Sequence, residues 1–235
     1  MPVYVLTHHK CASAWLAGYV NDYARMNGLA SIATHHSAAL PDRPADVAIL
    51  ANADHGFLAG RIPGGIHIIR NPLDLVVSAY HSHRNTHPTE GWPQLAAQQA
   101  LLRRVPEAEG MLLTIAFLER ADFHPEAVGP LHALRRWDFD DARFTTLRME
   151  EMVLRPNERL GALLKAAHPG HLLPPAERHS FGAVTGRAPG QVDATSHYRS
   201  GLPGEGRRAL PASAVAYLRA HLEPLLRRFY PESLG

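Results

Sequence analysis

The chain has 235 residues, 46% of them hydrophobic, which is enough to bury one sizeable core but not to add a second catalytic domain beside it. Lys and Arg number 24 against 22 Asp and Glu, and a formal net charge of +2 excludes bulk attraction to nucleic acid or an anionic membrane, so any anion site is local. Cys11 is the only cysteine, which excludes an intrachain disulfide, and no apolar run of about 18 residues marks a membrane span.

Val3 to Leu6 (VYVL) reads as a buried strand, with no basic, leader-like segment before it, so a cytoplasmic protein is expected. The abundance of Ala, Arg, Pro and His suits a GC-rich bacterial genome. A polar loop follows, then a helical pattern from about Ala14 to Asn27. Asp46 to Ala51 (DVAILA) and Gly65 to Ile69 (GIHII) are continuously apolar, as parallel strands covered on both faces should be. Arg70-Asn71-Pro72 closes the latter strand and opens a helix, with Pro72 near its first position. Helical periodicity dominates Trp92 to Trp137. Phe144 to Leu147 is a predicted strand, Leu154 to Ala167 a predicted helix, Gly182 to Gly206 a long functional loop, and Pro211 to Phe229 the final helix. Strands alternating with helices and no internal repeat predict a single α/β domain over 1–235, its central parallel sheet flanked by helices and its ligands at the carboxyl ends of the strands.

The loop after the first strand, Thr7-His8-His9-Lys10-Cys11-Ala12-Ser13-Ala14-Trp15, carries one lysine and runs into a helix. Backbone N–H groups at a helix start, the helix dipole and a lysine together make an anion cradle. The pattern G-x-x-x-x-G-K-[ST] is absent, which argues against an ordinary P-loop ATPase or GTPase and disfavours a kinase-like transferase.

Three separated segments resemble, in order, the motifs of PAPS-dependent sulfotransferases, which transfer a sulfuryl group from 3′-phosphoadenosine 5′-phosphosulfate (PAPS). Thr7-x-x-Lys10-x-x-Ser13-x-Trp15 is similar to the family's 5′-phosphosulfate loop, T-Y-P-K-S-G-T-T-W. Ile68-Ile69-Arg70-Asn71-Pro72-x-Asp74-x-x-x-Ser78 is similar to its 3′-phosphate motif, an Arg at a strand end with a Ser eight residues later. His197-Tyr198-Arg199-Ser200-Gly201-Leu202-Pro203-Gly204-Glu205-Gly206-Arg207 is similar to its late R-K-G-x-x-G-D-W-K loop. Leu147-Arg148-Met149-Glu150-Glu151-Met152 and Ser180-Phe181 echo an R-Y-E-D-L segment and an adenine-contacting S-F pair. The helical middle matches no motif. Ala12 and Ala14 replace a Gly and a Thr of the first motif, and Ser200 replaces a Lys of the last.

The resemblance implies a P-loop-like sulfotransferase fold that places a sulfuryl group on a hydroxyl of a small-molecule or glycan acceptor by in-line displacement. It implies PAPS contacts from Thr7, Lys10, Cys11, Ala12, Ser13, Ala14, Trp15, Arg70, Ser78, Phe181, Arg199, Ser200 and Gly201. Lys10 would stabilise charge on the departing bridge oxygen, and the planar fork of Arg70 suits the 3′-phosphate. Backbone donors of the first loop serve if Ala12 keeps a negative φ. The family's general base is a His or Glu at a strand end, which points to His55, with Asp54 as the alternative and Asp22 or His35-His36 behind them.

Plainer readings stand beside these. Arg70 would pair with Asp74, Ser78 would be an ordinary helix serine, Trp15 and Phe181 core aromatics, Asp54 a cap, and Glu150 and Glu151 structural carboxylates. Cys11 near a helix start invites a lowered thiol pKa, but it simply occupies the family's Ser position. Sixteen histidines invite a metal at His8-His9, His35-His36 or His81-x-His83, yet no zinc-type spacing accompanies them, and no metal is expected. A non-catalytic PAPS-binding module is the main alternative, left open by Ala12 and Ala14.

Overall fold

The computed structural model describes residues 2–34, 40 and 45–235; His35 and His36 lie outside them. In chain order the elements are β1 (Val3–Leu6), α1 (Ser13–Asn27), β2 (Ser31–Thr34), β3 (Val47–Leu50), α2 (His55–Leu58), β4 (Gly65–Ile69) and α3 (Pro72–His81). A π-helical turn (Ser82–Thr86) precedes α4 (Pro93–Leu102), α5 (Glu107–Leu118), α6 (Pro130–Arg136) and β5 (Phe144–Arg148). Then come α7 (Met149–Leu154), α8 (Leu160–Ala167), α9 (Phe181–Thr185), α10 (Gly206–Ala209), α11 (Ala212–His221) and α12 (Glu223–Phe229). The chain forms two compact units, Met1–Arg70 with Trp137–Gly186, and Asn71–Arg136 with Arg187–Gly235.

The first unit holds the five-stranded sheet, all parallel, in the order β2-β3-β1-β4-β5. Leu6, Ala48, Leu50 and Phe144 pack on one face with Ala53, Leu58, Ile62 and Trp137. The alternate residues Val5, Val47 and Ile49 point the other way and are equally buried, so the sheet is covered on both faces. After β1 the chain goes to β2 and β3 on one side; after β4 it goes to β5 on the other. The crevice between the carboxyl ends of β1 and β4 is therefore the switch point at which open α/β sheets bind ligands. Gly65 starts β4 because a Cβ there would lie 2.7 Å from the Tyr4 carbonyl oxygen.

The second unit is helical. Almost every residue of α3 is buried, and α5, α10 and α11 pack against it. Asn71 caps α3 by accepting the Leu73 N–H at 3.0 Å, and its amide donates to Ser233 Oγ at 2.8 Å.

Three expectations change, and one strand, β2, was not expected. The strand β2 has a mixed, half-buried sequence (SIAT) because it lies at the sheet edge, where continuous apolar character is not required. The helix expected over Leu154 to Ala167 starts only at Leu160, as α8; Leu154 is the last residue of α7, which ends before Pro156. The final helix breaks at Leu222 (φ −123°), where Pro224 opens α12. The loop expected from Gly182 begins inside α9, which Ser180 caps through Ala183 N–H.

Candidate functional site

In the first unit, the polypeptide after β1 makes a tight turn into α1. Thr7 Oγ1 donates to the Cys11 carbonyl at 2.8 Å, and Cys11 N–H donates to His8 O at 3.0 Å, so the loop closes on itself. Lys10 (φ +64°) and Ala12 (φ +60°) are both left-handed. Ala12 therefore has the positive φ expected to be avoided, at a cost of about 1–2 kcal/mol for a residue with a Cβ. Left-handed residues before a helix start are the geometry from which anion-binding nests are built, so the positive φ of Ala12 corrects the expected condition without removing the loop's backbone donors. Ala12 is also the N-cap of α1 and offers no side-chain acceptor to the first turn of α1, whose N–H groups lack intrahelical partners. The exposed Ala14 Cβ and half-buried Ser13 form its rim.

Arg70 follows β4 across the switch point, and its NH1 donates to the Lys10 carbonyl at 3.0 Å. Its Nε is buried with no hydrogen-bond partner among the described residues. Lys10 is half-buried, and burial, reinforced by the Arg70 cation, pushes its ammonium down to about 7. Two cations held together at the carboxyl ends of β1 and β4 create a demand for an anion. Burial pushes the Cys11 thiol up to about 12, which makes it an inert core sulfur.

Not every predicted contact faces outward. The side chains of Thr7, Cys11 and Trp15 are buried, so only their backbones can serve a ligand. Trp15 stacks on Tyr19 and donates Nε1–H to His179 O at 2.7 Å, the role of a core aromatic. Phe181 is half-buried at the start of α9.

Asp54 caps α2, accepting the Gly56 N–H at 3.1 Å. His55 Nε2 lies 3.0 Å from Asp141 Oδ2, and Arg143 holds that carboxylate well below its usual range, with His55 adding to the effect. Asp141 precedes β5, which starts at Phe144 opposite Gly65, the first residue of β4. His55 is thereby drawn toward the amino end of β5, whereas Lys10 and Arg70 follow the carboxyl ends of their strands. Asp22 is tied to Arg25 and faces His179 at 3.1 Å.

In the second unit, Ser78 is half-buried on α3 and Arg199 is ion-paired with Glu205. Gly201 is left-handed (φ +68°). Asp74 does not partner Arg70: its buried carboxylate accepts the N–H groups of Gly204 and Gly206, both at 2.6 Å. Sequence reasoning missed this role because the partners lie 130 and 132 residues away. It also missed Arg187, whose guanidinium donates to the carbonyls of Gln191, Tyr198 and Arg199 and to Ser196 Oγ, folding the segment before the late loop around itself.

The histidines have other occupations. His8 Nε2 and His67 Nε2 are 2.8 Å apart in the core, and burial holds His8 neutral, its pKa pushed down to about 3. His83 Nδ1 meets Gln98 Oε1 at 2.8 Å, while burial and then the Arg199 cation lower the His81 pKa. Among the described residues, no group of three or more His, Cys, Asp or Glu is placed to hold a metal ion, and no helix is long and apolar enough to cross a membrane.

No protein-family model matches the chain, and no curated protein does. Among solved structures it is similar to the crystal structure of mouse sulfotransferase SULT7A1 complexed with PAP, with a TM-score of 0.63 and 16% identity. The match covers 96% of this chain and 85% of that one. The central parallel sheet flanked by helices is thus the α/β fold that this sulfotransferase has.

Proposed function

We propose that the protein is a PAPS-dependent sulfotransferase, acting as one cytoplasmic catalytic domain over residues 1–235 on a hydroxyl of a small molecule or glycan. The observation that carries the reading is the Arg70–Lys10 link at the β1/β4 switch point, beside an α1 start whose N-cap residue supplies no side-chain cap. Fixed cations and N–H groups are what an adenosine nucleotide with 5′- and 3′-terminal anions requires.

In this reading the 5′-phosphosulfate sits on the N–H groups of residues 12–15, with Lys10 beside it. As the sulfuryl group moves in line to the acceptor oxygen, charge grows on the phosphosulfate bridge oxygen. A lysine already in place stabilises that charge without reorganisation. Arg70, Ser78 and the Arg199-Ser200-Gly201 segment take the 3′-phosphate, and Phe181 the adenine. The acceptor proton passes to His55, whose ring Asp141 holds at 3.0 Å, with Asp54, the cap of α2, as the alternative base.

Calorimetry with adenosine 3′,5′-bisphosphate and adenosine 5′-phosphate tests the donor site. Clearly tighter binding of the bisphosphate is expected, and equal affinities would sink the assignment. Mass-spectrometric screening of hydroxyl acceptors with PAPS then separates an enzyme from a binding module, because a module binds the bisphosphate and transfers nothing.

A further inference from the structure

We propose that Asp74 is a positioning residue for 3′-phosphate recognition: its carboxylate latches the late loop to α3 and so sets where Arg199 stands. The inference rests on the sulfotransferase reading above. Asp74 is only 3% exposed, in the first turn of α3, and each of its oxygens accepts one backbone N–H, from Gly204 and from Gly206, at 2.6 Å. A carboxylate is an acceptor on both oxygens, and such charge-assisted bonds are roughly twice as strong as neutral ones. Between the two gripped amides sits Glu205, which is ion-paired with Arg199. The same three residues therefore anchor the loop to the helix and hold the guanidinium.

The loop backbone is built for this approach. Gly206 lies against the α3 backbone so closely that a Cβ would stand 2.3 Å from the Leu73 carbonyl carbon and 2.6 Å from Asp74 N. Gly204 has φ +83°, a left-handed conformation that turns its N–H to the carboxylate. Asn at position 74 would present an NH2 group to one of the two N–H donors, losing a bond and setting donor against donor.

The experiment compares Asp74→Asn with the full-length parent by calorimetry, using adenosine 3′,5′-bisphosphate and adenosine 5′-phosphate. The ratio of the two affinities is expected to fall by on the order of tenfold, with the monophosphate affinity within about threefold of the parent. An unchanged ratio, or equal loss for both nucleotides, would overturn the positioning role. Gly206→Ala should give the same selective loss without altering any charge. Hydrogen exchange on the unmodified protein covers the case in which neither variant folds. The amides of Gly204 and Gly206 should exchange far more slowly than solvent-exposed amides and slow further with the bisphosphate, and exchange at the rate of an unstructured amide would refute the latch. Should the parent itself fail to discriminate between the nucleotides, the sulfotransferase reading fails, while slow exchange at these amides still reports the latch.

Discussion

Replacing Arg70 by Ala removes two different things, and the structure gives each a size. In the free protein the Arg70 guanidinium makes one hydrogen bond among the described residues, to the Lys10 carbonyl at 3.0 Å, from a half-buried position. A bond of that kind is worth about 1 kcal/mol net, so the variant should melt about 2–4 °C lower in a chain of this size. In the complex the guanidinium would also meet the 3′-phosphate. Losing that charge-assisted interaction should cost about 1.5–3 kcal/mol, a factor of about 10–150 in dissociation constant. Adenosine 5′-phosphate lacks the group, so its affinity should change only by what the loop loses. Titration of both nucleotides into parent and variant measures the difference, and thermal melts give the stability part separately. Arg70→Lys keeps the charge but not the planar fork, and should recover only part of the bisphosphate affinity. If Arg70→Ala weakens both nucleotides by the same factor, Arg70 acts only through the Lys10 carbonyl, and its assignment to the 3′-phosphate is wrong.

Lys10→Ala should lower turnover far more than it lowers bisphosphate binding, because the charge it answers develops in the transition state; proportionate losses in both would make Lys10 an ordinary binding residue. With its ammonium pushed down to about 7, Lys10 is mostly neutral at pH 8, and a bound anion favours the charged form. Bisphosphate binding at pH 8 should therefore take up a proton, and affinity should fall as pH rises above about 7; titrations in buffers of different ionisation enthalpy read the uptake, which Lys10→Ala should abolish. Cys11, buried and with its thiol pushed up to about 12, should resist alkylation at pH 8 until the protein is unfolded. Ala12→Gly relieves about 1–2 kcal/mol of left-handed strain and gives back about 0.4–1 kcal/mol of unfolded-chain entropy, so the melting temperature should rise slightly; a fall would show that the Ala12 methyl group contributes packing. His55→Ala should cost stability through the Asp141 contact and lower turnover by on the order of 10²-fold or more, and near-normal turnover would pass the role of base to Asp54 or another residue.

What was legible in the sequence follows from the range of the interactions involved. VYVL and GIHII are apolar at every position because both faces of a central strand are covered, so β1 and β4 were readable from their own residues. SIAT was not, since an edge strand tolerates half-exposed positions. The cation pair was legible as two motifs, because the carboxyl ends of parallel strands converge whatever the intervening chain does. Side-chain partners set by distant segments were a different matter. Asp74 lies one turn from Arg70 and reads as its counter-ion, yet two amides more than 100 residues away offer the carboxylate two short bonds instead. His55 does stand after a strand end, as the family pattern requires. What decides its use is Asp141, 86 residues on, and no spacing in the sequence announces that contact. The buried His8–His67 contact has the same character: a histidine in the middle of GIHII was the one available sign that β4 carries a polar group into the core, and only the β1–β4 register brings His8 to meet it. Local backbone demands thus place the loop after β1, while the roles of the titratable side chains around it depend on which remote donor or acceptor reaches them first.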